Sequence, residues 1–513
     1  MSRRSDLSVI IPAQNEEATI AAVLREVRKL SPLEIIVVVN GSTDGTAQRC
    51  RAMGCTVYEY PTALGNDVGR AVGARYARGD VLLFLDGDIP IPSERLRPFV
   101  SAIENGNDLA LNDLSWLNAT GLPHYTTLAK KTFNRMLQRI DLSGNSLLAI
   151  PHAISREALR AIGWQRLATP VVAQAIAIDR KLRICNCASV DVVHTNMPRS
   201  MHRRHRGASP FPESTERILG DHLEAIHEAI QRRGPRAGLT DGARLREFLR
   251  DYAPIARQRK AKRSAVIPVG EERGTIQDVV REARRAGIDE IVVVANGADE
   301  ETVAKAQQVG ANVLVFRRRL GHNVGRAIGA AFSTGETVLF IDGDFVIPAE
   351  DLQPYIRAVE SGEVDVALND LSRLCYRQGM PLDPISAVKY FLNCCLRRPE
   401  LLNGSMTAVP HALRREAIDA IGFRSLMLPP LAQTKAILSG LSVRNVHYAD
   451  VVTPNRIRPE HALRNGTVPA FERIIGDHVE AIDYLLRRTD RRGGFFDGNR
   501  NRDILEQLGR EPK

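Results

Sequence analysis

Val81-Leu82-Leu83-Phe84-Leu85-Asp86-Gly87-Asp88 decides how this chain is read, and it is written a second time as Val338-Leu339-Phe340-Ile341-Asp342-Gly343-Asp344. An apolar run of this length, bounded by Gly79-Asp80 and a proline-rich exit, predicts a strand buried on both faces. Two carboxylates stand where that strand ends, and open α/β sheets bind ligands outside the carboxyl ends of their strands. Paired carboxylates around a glycine suit a hard divalent cation that gathers phosphate oxygens. The residues therefore point to a metal–diphosphate site, present twice, against the plainer reading of solvated acids after a core strand.

Working outward, the whole chain is one unit written twice. Pro12 pairs with Pro268, Asn40-Gly41 with Asn296-Gly297, Gly69-Arg70 with Gly325-Arg326, and Gly220-Asp221-His222 with Gly476-Asp477-His478, each 256 residues apart. The offset drifts to 259 at Pro151-His152 against Pro410-His411 and then returns, as small loop insertions would produce. A repeat this long is a domain rather than a solenoid unit. The expected division is 1–250 and 263–513, joined by a basic linker over 251–262 that runs into Arg263.

Composition fits that division. The 513 residues exceed one ordinary domain, and 44% apolar with 25% charged is a globular balance. No apolar run reaches the roughly 20 residues of a membrane span. Seven cysteines, an odd number without CxxC spacing, speak against a disulfide framework or a zinc site. A reducing cytoplasmic setting is expected, with peripheral attachment to the inner membrane face left open. The net charge of +10 favours phosphorylated substrates or an anionic lipid surface. With only 5% aromatics, and none interleaved with the basic runs, a single-strand nucleic-acid platform is not expected.

Each unit alternates strand and helix. In the first, strands are expected at 8–11, 34–39, 56–58 and 80–85, with helices at 16–30, 68–78 and 93–104, Ser93 serving as N-cap. A helix-rich part follows, with helices at 125–139, 156–162, 171–181 and 213–232. This order implies βαβ units, a mostly parallel sheet and a helical C-terminal extension. Three strand ends carry polar residues: Pro12-Ala13-Gln14-Asn15-Glu16-Glu17, Asn40-Gly41-Ser42-Thr43-Asp44-Gly45, and Asp86-Gly87-Asp88. A parallel sheet lines them along one edge. The turns at Asn40-Gly41 and Asp44-Gly45 suit an anion or a ribose.

That order resembles the nucleotide-sugar-binding half of GT-A glycosyltransferases, above all glycosyltransferase family 2, over about residues 7–115 and 264–372. The segment from Ser143 to Arg156 resembles the acceptor loop of polyprenyl-phosphate sugar transferases and of glucosyl-3-phosphoglycerate synthases. The resemblance implies two tandem GT-A domains of α/β class and a metal-dependent transfer from a UDP- or GDP-sugar. The acceptor it implies is a phosphorylated metabolite, a lipid phosphate or a glycan. It implies that Pro12, Asn15, Glu16 and Asn40 line the nucleoside pocket, that Asp86 meets the ribose or the metal's water shell, and that Asp88 binds Mg²⁺ or Mn²⁺. Arg70 is expected as a phosphate clamp. His194, at the end of an expected late strand, is an extra metal ligand or an ordinary packed residue.

Two departures stand out. The acids that family members often carry before Gly-Ser are Val39 and Asn40 here. The Glu-Asp pair that serves inverting members as base falls at Thr169-Pro170 and at Leu428-Pro429. Asp113 is then either a base or a turn acid, and a retaining course would need neither. His152 faces the acceptor loop, and His222 and His478 read as packing residues.

The units are unequal. The second keeps Asn296, Asp342 and Asp344 as nucleotide and metal candidates. It reads Glu271-Glu272-Arg273 and Ala298-Asp299-Glu300-Glu301 where the first has Asn15-Glu16-Glu17 and Ser42-Thr43-Asp44-Gly45, with Thr453 in place of His194. The first unit is the expected catalyst. A non-catalytic nucleotide-sugar scaffold is the alternative. A sugar-phosphate nucleotidyltransferase is disfavoured, because 13–17 hold neither glycine nor cation.

Overall fold

The first β-strand after the N-terminus, Leu7–Ala13 (β1), is buried except at half-buried Pro12, and it lies between β2 and β4 inside its sheet. The chain is described by a computed structural model over residues 6–118, 121–194, 200–250, 261–377, 379–454 and 468–510. The expected linker 251–262 lies outside these residues except for its last two. After β1 come α1 (Ile20–Arg28), β2 (Glu34–Asn40), α2 (Thr46–Ala52), β3 (Thr56–Tyr60), α3 (Val68–Tyr76), β4 (Val81–Phe84) and α4 (Ser93–Glu104). The helix-rich half holds β5 (Leu109–Asn112), α5 (Tyr125–Met136), β6 (His152–Ser155), α6 (Arg156–Ile162), α7 (Pro170–Asp179), β7 (Ile184–Ala188) and α8 (Glu213–Arg233).

The seven strands lie in the order β3-β2-β1-β4-β6-β5-β7. All neighbours are parallel except β6, which runs antiparallel between β4 and β5. The sheet buries both faces, as its near-continuous apolar strands require. On one face Val9, Ile11, Val37, Leu83 and Leu85 meet α1 and α4 through Ile20, Leu24, Leu96 and Phe99. On the other, α3 lies close on β1. A methyl group at Gly73 would collide with the Ile10 side chain, and one at Gly69 would press on Pro12, so glycine at both positions sets the approach. β4 is fully buried, as its sequence predicts.

The second unit repeats this plan with β8 (Arg263–Val269), β9 (Glu290–Asn296), β10 (Asn312–Phe316), β11 (Thr337–Phe340), β12 (Val366–Asn369), β13 (His411–Arg414) and β14 (Val443–His447), in the order β10-β9-β8-β11-β13-β12-β14. Two mostly parallel, helix-flanked α/β sheets are thus observed.

Three local expectations are corrected. Ser93 is the first helical residue rather than the cap, because its N–H is taken by the Glu26 carboxylate at 3.0 Å. The short antiparallel β6 falls where only a loop was read. The late strand stops at Ala188, well before His194, because Val190 turns aside to give its N–H to Asn112 Oδ1 at 2.9 Å.

The compact units do not coincide with the sequence repeats. The first comprises the described residues of Met1–Ala237 and Thr489–Lys513, and the second those of Gly238–Arg488. Each unit is therefore completed by a segment belonging to the other repeat. In the first unit Arg500 is bidentate to Asp221 at 2.8 and 2.9 Å, and Arg502 to Glu224 at 2.7 and 2.8 Å. In the second, Arg244 and Arg246 hold Asp477 and Glu480 the same way. The expected boundary at 250 follows the sequence repeat, whereas the segments 489–510 and 238–250 each form a strap on the unit they complete, anchored by these arginine–carboxylate pairs.

Candidate active site

Three strand ends of the first unit are tied to one another by short polar side chains. Asn15, exposed and with φ of 56°, accepts from Thr43 N at 2.8 Å while its own N–H reaches Ser42 Oγ at 3.0 Å. The Glu16 N–H donates to Thr46 Oγ1 at 2.8 Å, and Glu17 exchanges bonds with the Asp44 carboxylate and the Gly45 N–H. Asp44 in turn accepts from Thr46, whose hydroxyl is the largest influence holding the Asp44 carboxyl below its ordinary pKa. Thr19 Oγ1 lies 3.0 Å from both the Glu16 carboxylate and the Gly87 carbonyl, linking the β1 end to the acid pair. Pro12, half-buried, closes β1 beside Gly69.

Asp86 and Asp88 are half-buried and follow β4. The Arg70 guanidinium holds Asp86 Oδ1 at 3.1 Å and Asp67 at 3.4 Å. Burial pulls the Arg70 pKa down, but Asp86 and Asp67 outweigh it and the net shift is upward. Arg70 is thus spent on two carboxylates beneath the site, and it positions Asp86 instead of standing open as a phosphate clamp. Asn40 is also turned inward. Its amide gives to Gly65 O at 3.3 Å and accepts from Leu64 N, clamping the loop that leads into α3.

Asp113 takes the turn role. Its Oδ1 accepts from Ser115 N and Asn145 Nδ2, both at 3.0 Å. Burial raises its pKa, and the bonds from Ser115 and Asn145 more than reverse this, leaving a weakened base. Thr169 and Pro170 are buried at the start of α7 and offer no carboxylate. His194 is exposed and stacks on Trp116, with ring centroids 5.7 Å apart. Its Nδ1 lies 2.7 Å from Asp191, an anchoring that metal-binding histidines share. Among the described residues no three His, Cys, Asp or Glu side chains gather as a metal group, so His194 is not brought into one set with Asp86 and Asp88. His152 is buried against Phe84, its Nδ1 on Ala149 O at 2.9 Å, and burial lowers its pKa to about 3. His222 is likewise buried, with a pKa of about 4.

The second unit keeps the floor of this site and rebuilds its rim. Arg326 holds Asp342 at 2.8 Å, Thr275 reaches Gly343 O at 2.6 Å, and Asn296 clamps Leu320 and Gly321. Asp344 is buried. Asp299, however, caps its own helix at Thr302 N, and Glu272 folds back on Gly270 N. Where Glu17 and Gly45 are hydrogen-bonded in the first unit, Arg273 and Glu301 form an exposed ion pair at 3.7 Å, so the same two strand ends are joined here by charge.

The family profile of glycosyl transferase family 2 matches residues 8–155 and 264–372, just over half of the chain. The chain belongs to glycosyl transferase family 2. Both matched segments contain the acid pair and the three strand ends, so family membership falls on the observed geometry in each unit. Among curated relatives, 4,4'-diaponeurosporenoate glycosyltransferase of Staphylococcus haemolyticus is 36% identical over 95 residues, 17% of this chain and 25% of that protein. Glucosyl-3-phosphoglycerate synthase of Mycobacterium tuberculosis (strain H37Rv) is 35% identical over 109 residues, 18% of this chain and 32% of the relative. This chain therefore spans a third or less of the length of these two relatives. A solved structure of glucosyl-3-phosphoglycerate synthase from Mycobacterium tuberculosis with Mn²⁺, UDP and phosphoglyceric acid is similar at 20% identity, covering 44% of this chain and 79% of that one, with a TM-score of 0.33.

The sequence reading assigned no individual role to Glu17, Thr19, Thr46, Asp67, Arg217 or Arg500. Thr46 recurs as Thr302 and Arg500 as Arg244, so the repeat carried a signal for both. Asp67 is Asn323 in the second unit, a difference that acquires meaning only beside Arg70.

Proposed function

We propose that the first unit transfers a sugar from a UDP- or GDP-sugar to a hydroxyl of a phosphate-bearing acceptor, with Mg²⁺ or Mn²⁺ at Asp86 and Asp88. The observation that carries this reading is the interlocked rim of Asn15, Glu17, Thr43 and Asp44 above the acid pair, in a family 2 chain. The donor set fits a hard cation. Two carboxylates stand at one strand end, and a cation that keeps water and takes phosphate oxygens needs no third protein ligand. Such an ion, when bound, neutralises the charge developing on the departing nucleoside diphosphate. The chain's own part is to fix Asp86 through Arg70 and to hold the rim rigid through Thr19 and Thr46.

The acceptor's proton finds no carboxylate at residues 169–170, and Asp113 is weakened as a base by the two bonds to its Oδ1. We therefore assign a retaining course. The bond from the anomeric carbon to the diphosphate oxygen breaks with its electron pair on that oxygen. The acceptor oxygen then bonds the same face of the carbon, and its proton passes to the leaving diphosphate. A relative named for action on phosphoglycerate supports a phosphorylated acceptor, as does the net charge of +10. The second unit serves as a nucleotide-binding or supporting domain, since its rim is rebuilt.

The test is transfer by the purified full chain with Mn²⁺ across UDP- and GDP-sugars, with the product anomer read by NMR. Asp88→Ala removes stabilisation worth several kcal/mol, a loss of roughly 100-fold or more in turnover. Asp344→Ala changes turnover by less than about threefold, the range of a substitution outside the transition-state contacts. Loss of transfer in Asp344→Ala alone would place the catalyst in the other unit. Binding without turnover of any donor would leave the scaffold reading.

A further inference from the structure

The strap that completes the first unit does more than close the fold. Its Gly498 carbonyl takes the Asn66 N–H at 3.2 Å, its Asn501 N–H reaches Leu64 O at 2.8 Å, and Arg500 Nε reaches Asn66 O at 3.0 Å. A Cβ at Gly65 would overlap the backbone of Asn499, so strap and loop are in direct backbone contact. This is the loop that Asn40 clamps from below. From it a line of charges runs to the acid pair. Arg500 meets Asp67 at 3.1 Å, Asp67 meets Arg70 at 3.4 Å, and Arg70 meets Asp86 at 3.1 Å. Arg217 joins at Asp67, also at 3.1 Å. Arg500, Arg70 and Asp221 are buried and the Asp67 side chain is only 9% exposed, so solvent screens this line little.

The second unit offers an internal comparison. Its strap is fastened alike, with Arg244 on Asp477 and on His322 O, but Asn323 stands where Asp67 does. The line is broken there. Among the described residues Arg326 meets the one carboxylate of Asp342, at 2.8 Å. Strap and fold are thus common to both units, whereas the charge line belongs to the one whose rim is intact.

We propose that the segment 489–510, encoded in the second repeat, is a positioning element for the first unit's acid pair, acting through Arg500, Asp67 and Arg70. The proposal rests on the assignment of Asp86 and Asp88 as cation and diphosphate ligands. Asp67 shares the Arg70 charge, so Asp86 keeps more of its own charge for the cation, and Arg500 holds Asp67 in place. The tandem duplication then has a chemical consequence, because the first repeat lacks the residue that sets its own site.

The experiment uses the full chain and measures binding of Mn²⁺ with UDP, and with GDP, by calorimetry. Hydrogen exchange at residues 64–67 is read in parallel. Asp67→Asn and Arg500→Gln each weaken Mn²⁺–nucleotide binding by about tenfold, the scale of losing a group that orients a metal ligand. The double variant is no worse than the weaker single, as members of one line require. Arg500→Lys recovers part of the loss. Phe99→Leu, on a helix that holds none of these charges, lowers stability and leaves binding unchanged. Arg500→Gln that melts earlier but binds as wild type would overturn the proposal and leave a purely structural strap. A wild-type chain that binds Mn²⁺–nucleotide without transferring sugar would sink the transferase reading and leave this one standing. If wild type binds neither nucleotide, unchanged exchange at 64–67 in Arg500→Gln overturns the proposal, and faster exchange there, not seen in Phe99→Leu, supports it.

Discussion

Replacing Asp221 by alanine should cost the first unit more stability than any single substitution in its sheet rim. Asp221 is fully buried in α8 and accepts from Arg500 at 2.8 and 2.9 Å and from Arg492 at 2.8 Å, with Arg217 at 3.6 Å. Alanine leaves three guanidiniums without their central carboxylate. Breaking a buried pair by removing one partner costs about 3–5 kcal/mol. That is a large share of the 5–15 kcal/mol that holds a typical domain together, roughly speaking. For a unit of this size it corresponds to a drop of roughly 6–20 °C in melting temperature. The assay is calorimetric unfolding of the full chain, with each transition assigned by proteolysis and mass spectrometry. The pH dependence gives a second check. Burial alone would raise the Asp221 pKa, but Arg500, Arg492 and Arg217 outweigh it and hold the carboxyl well below the usual range. A depressed carboxylate contributes stability above its unfolded pKa and loses it as pH falls through the folded one. The gap between wild type and Asp221→Ala should therefore persist down to about pH 4 and shrink below it. A variant within about 0.5 kcal/mol of wild type, the scatter of a neutral surface change, would refute the claim that the strap is held by charge.

Two further outcomes are expected. His152 and His411 are buried neutral with pKa values near 3, and His222 and His478 near 4, all chiefly through burial. Because the unfolded chain takes up these protons first, each histidine withdraws stability as pH falls from about 6.5 toward its folded value, by up to roughly 1.4 kcal/mol per pH unit. Denaturant titrations between pH 7 and 4 check this, and a flat profile would contradict the buried assignments. Asn40→Ala frees Leu64 N and Gly65 O, a loss of about 1–3 kcal/mol in holding the loop. It should raise the donor KM by about tenfold with a smaller change in kcat. Steady-state kinetics decide this, and an unchanged KM would mean the loop lies outside the donor site.

Much of the fold was legible in the chain itself. The buried run ending in Asp86-Gly87-Asp88, the repeat at an offset of 256, and the alternation of short apolar runs with helical spacing require two parallel-sheet units whatever the packing details. The acid pair and the polar strand ends were legible for the same reason, since a strand's end and its period are local properties. The uses of individual residues were not. Arg70 and Asn40 read as ligand-facing and turned out to face inward, because burial and partner choice depend on what the next loop brings. β6 escaped because four residues carry too short a pattern to distinguish a strand from a loop. The strap escaped most completely. Arg500 and Asp67 are 433 residues apart, and no local rule joins them. Sequence by itself determined that an acid pair ends a core strand in each repeat, Asp86-Gly87-Asp88 in the first and Asp342-Gly343-Asp344 in the second. Only the tertiary structure decided that the two copies differ beneath that strand. In the first a shared carboxylate links the acid pair to the chain's far end, and in the second an asparagine cannot.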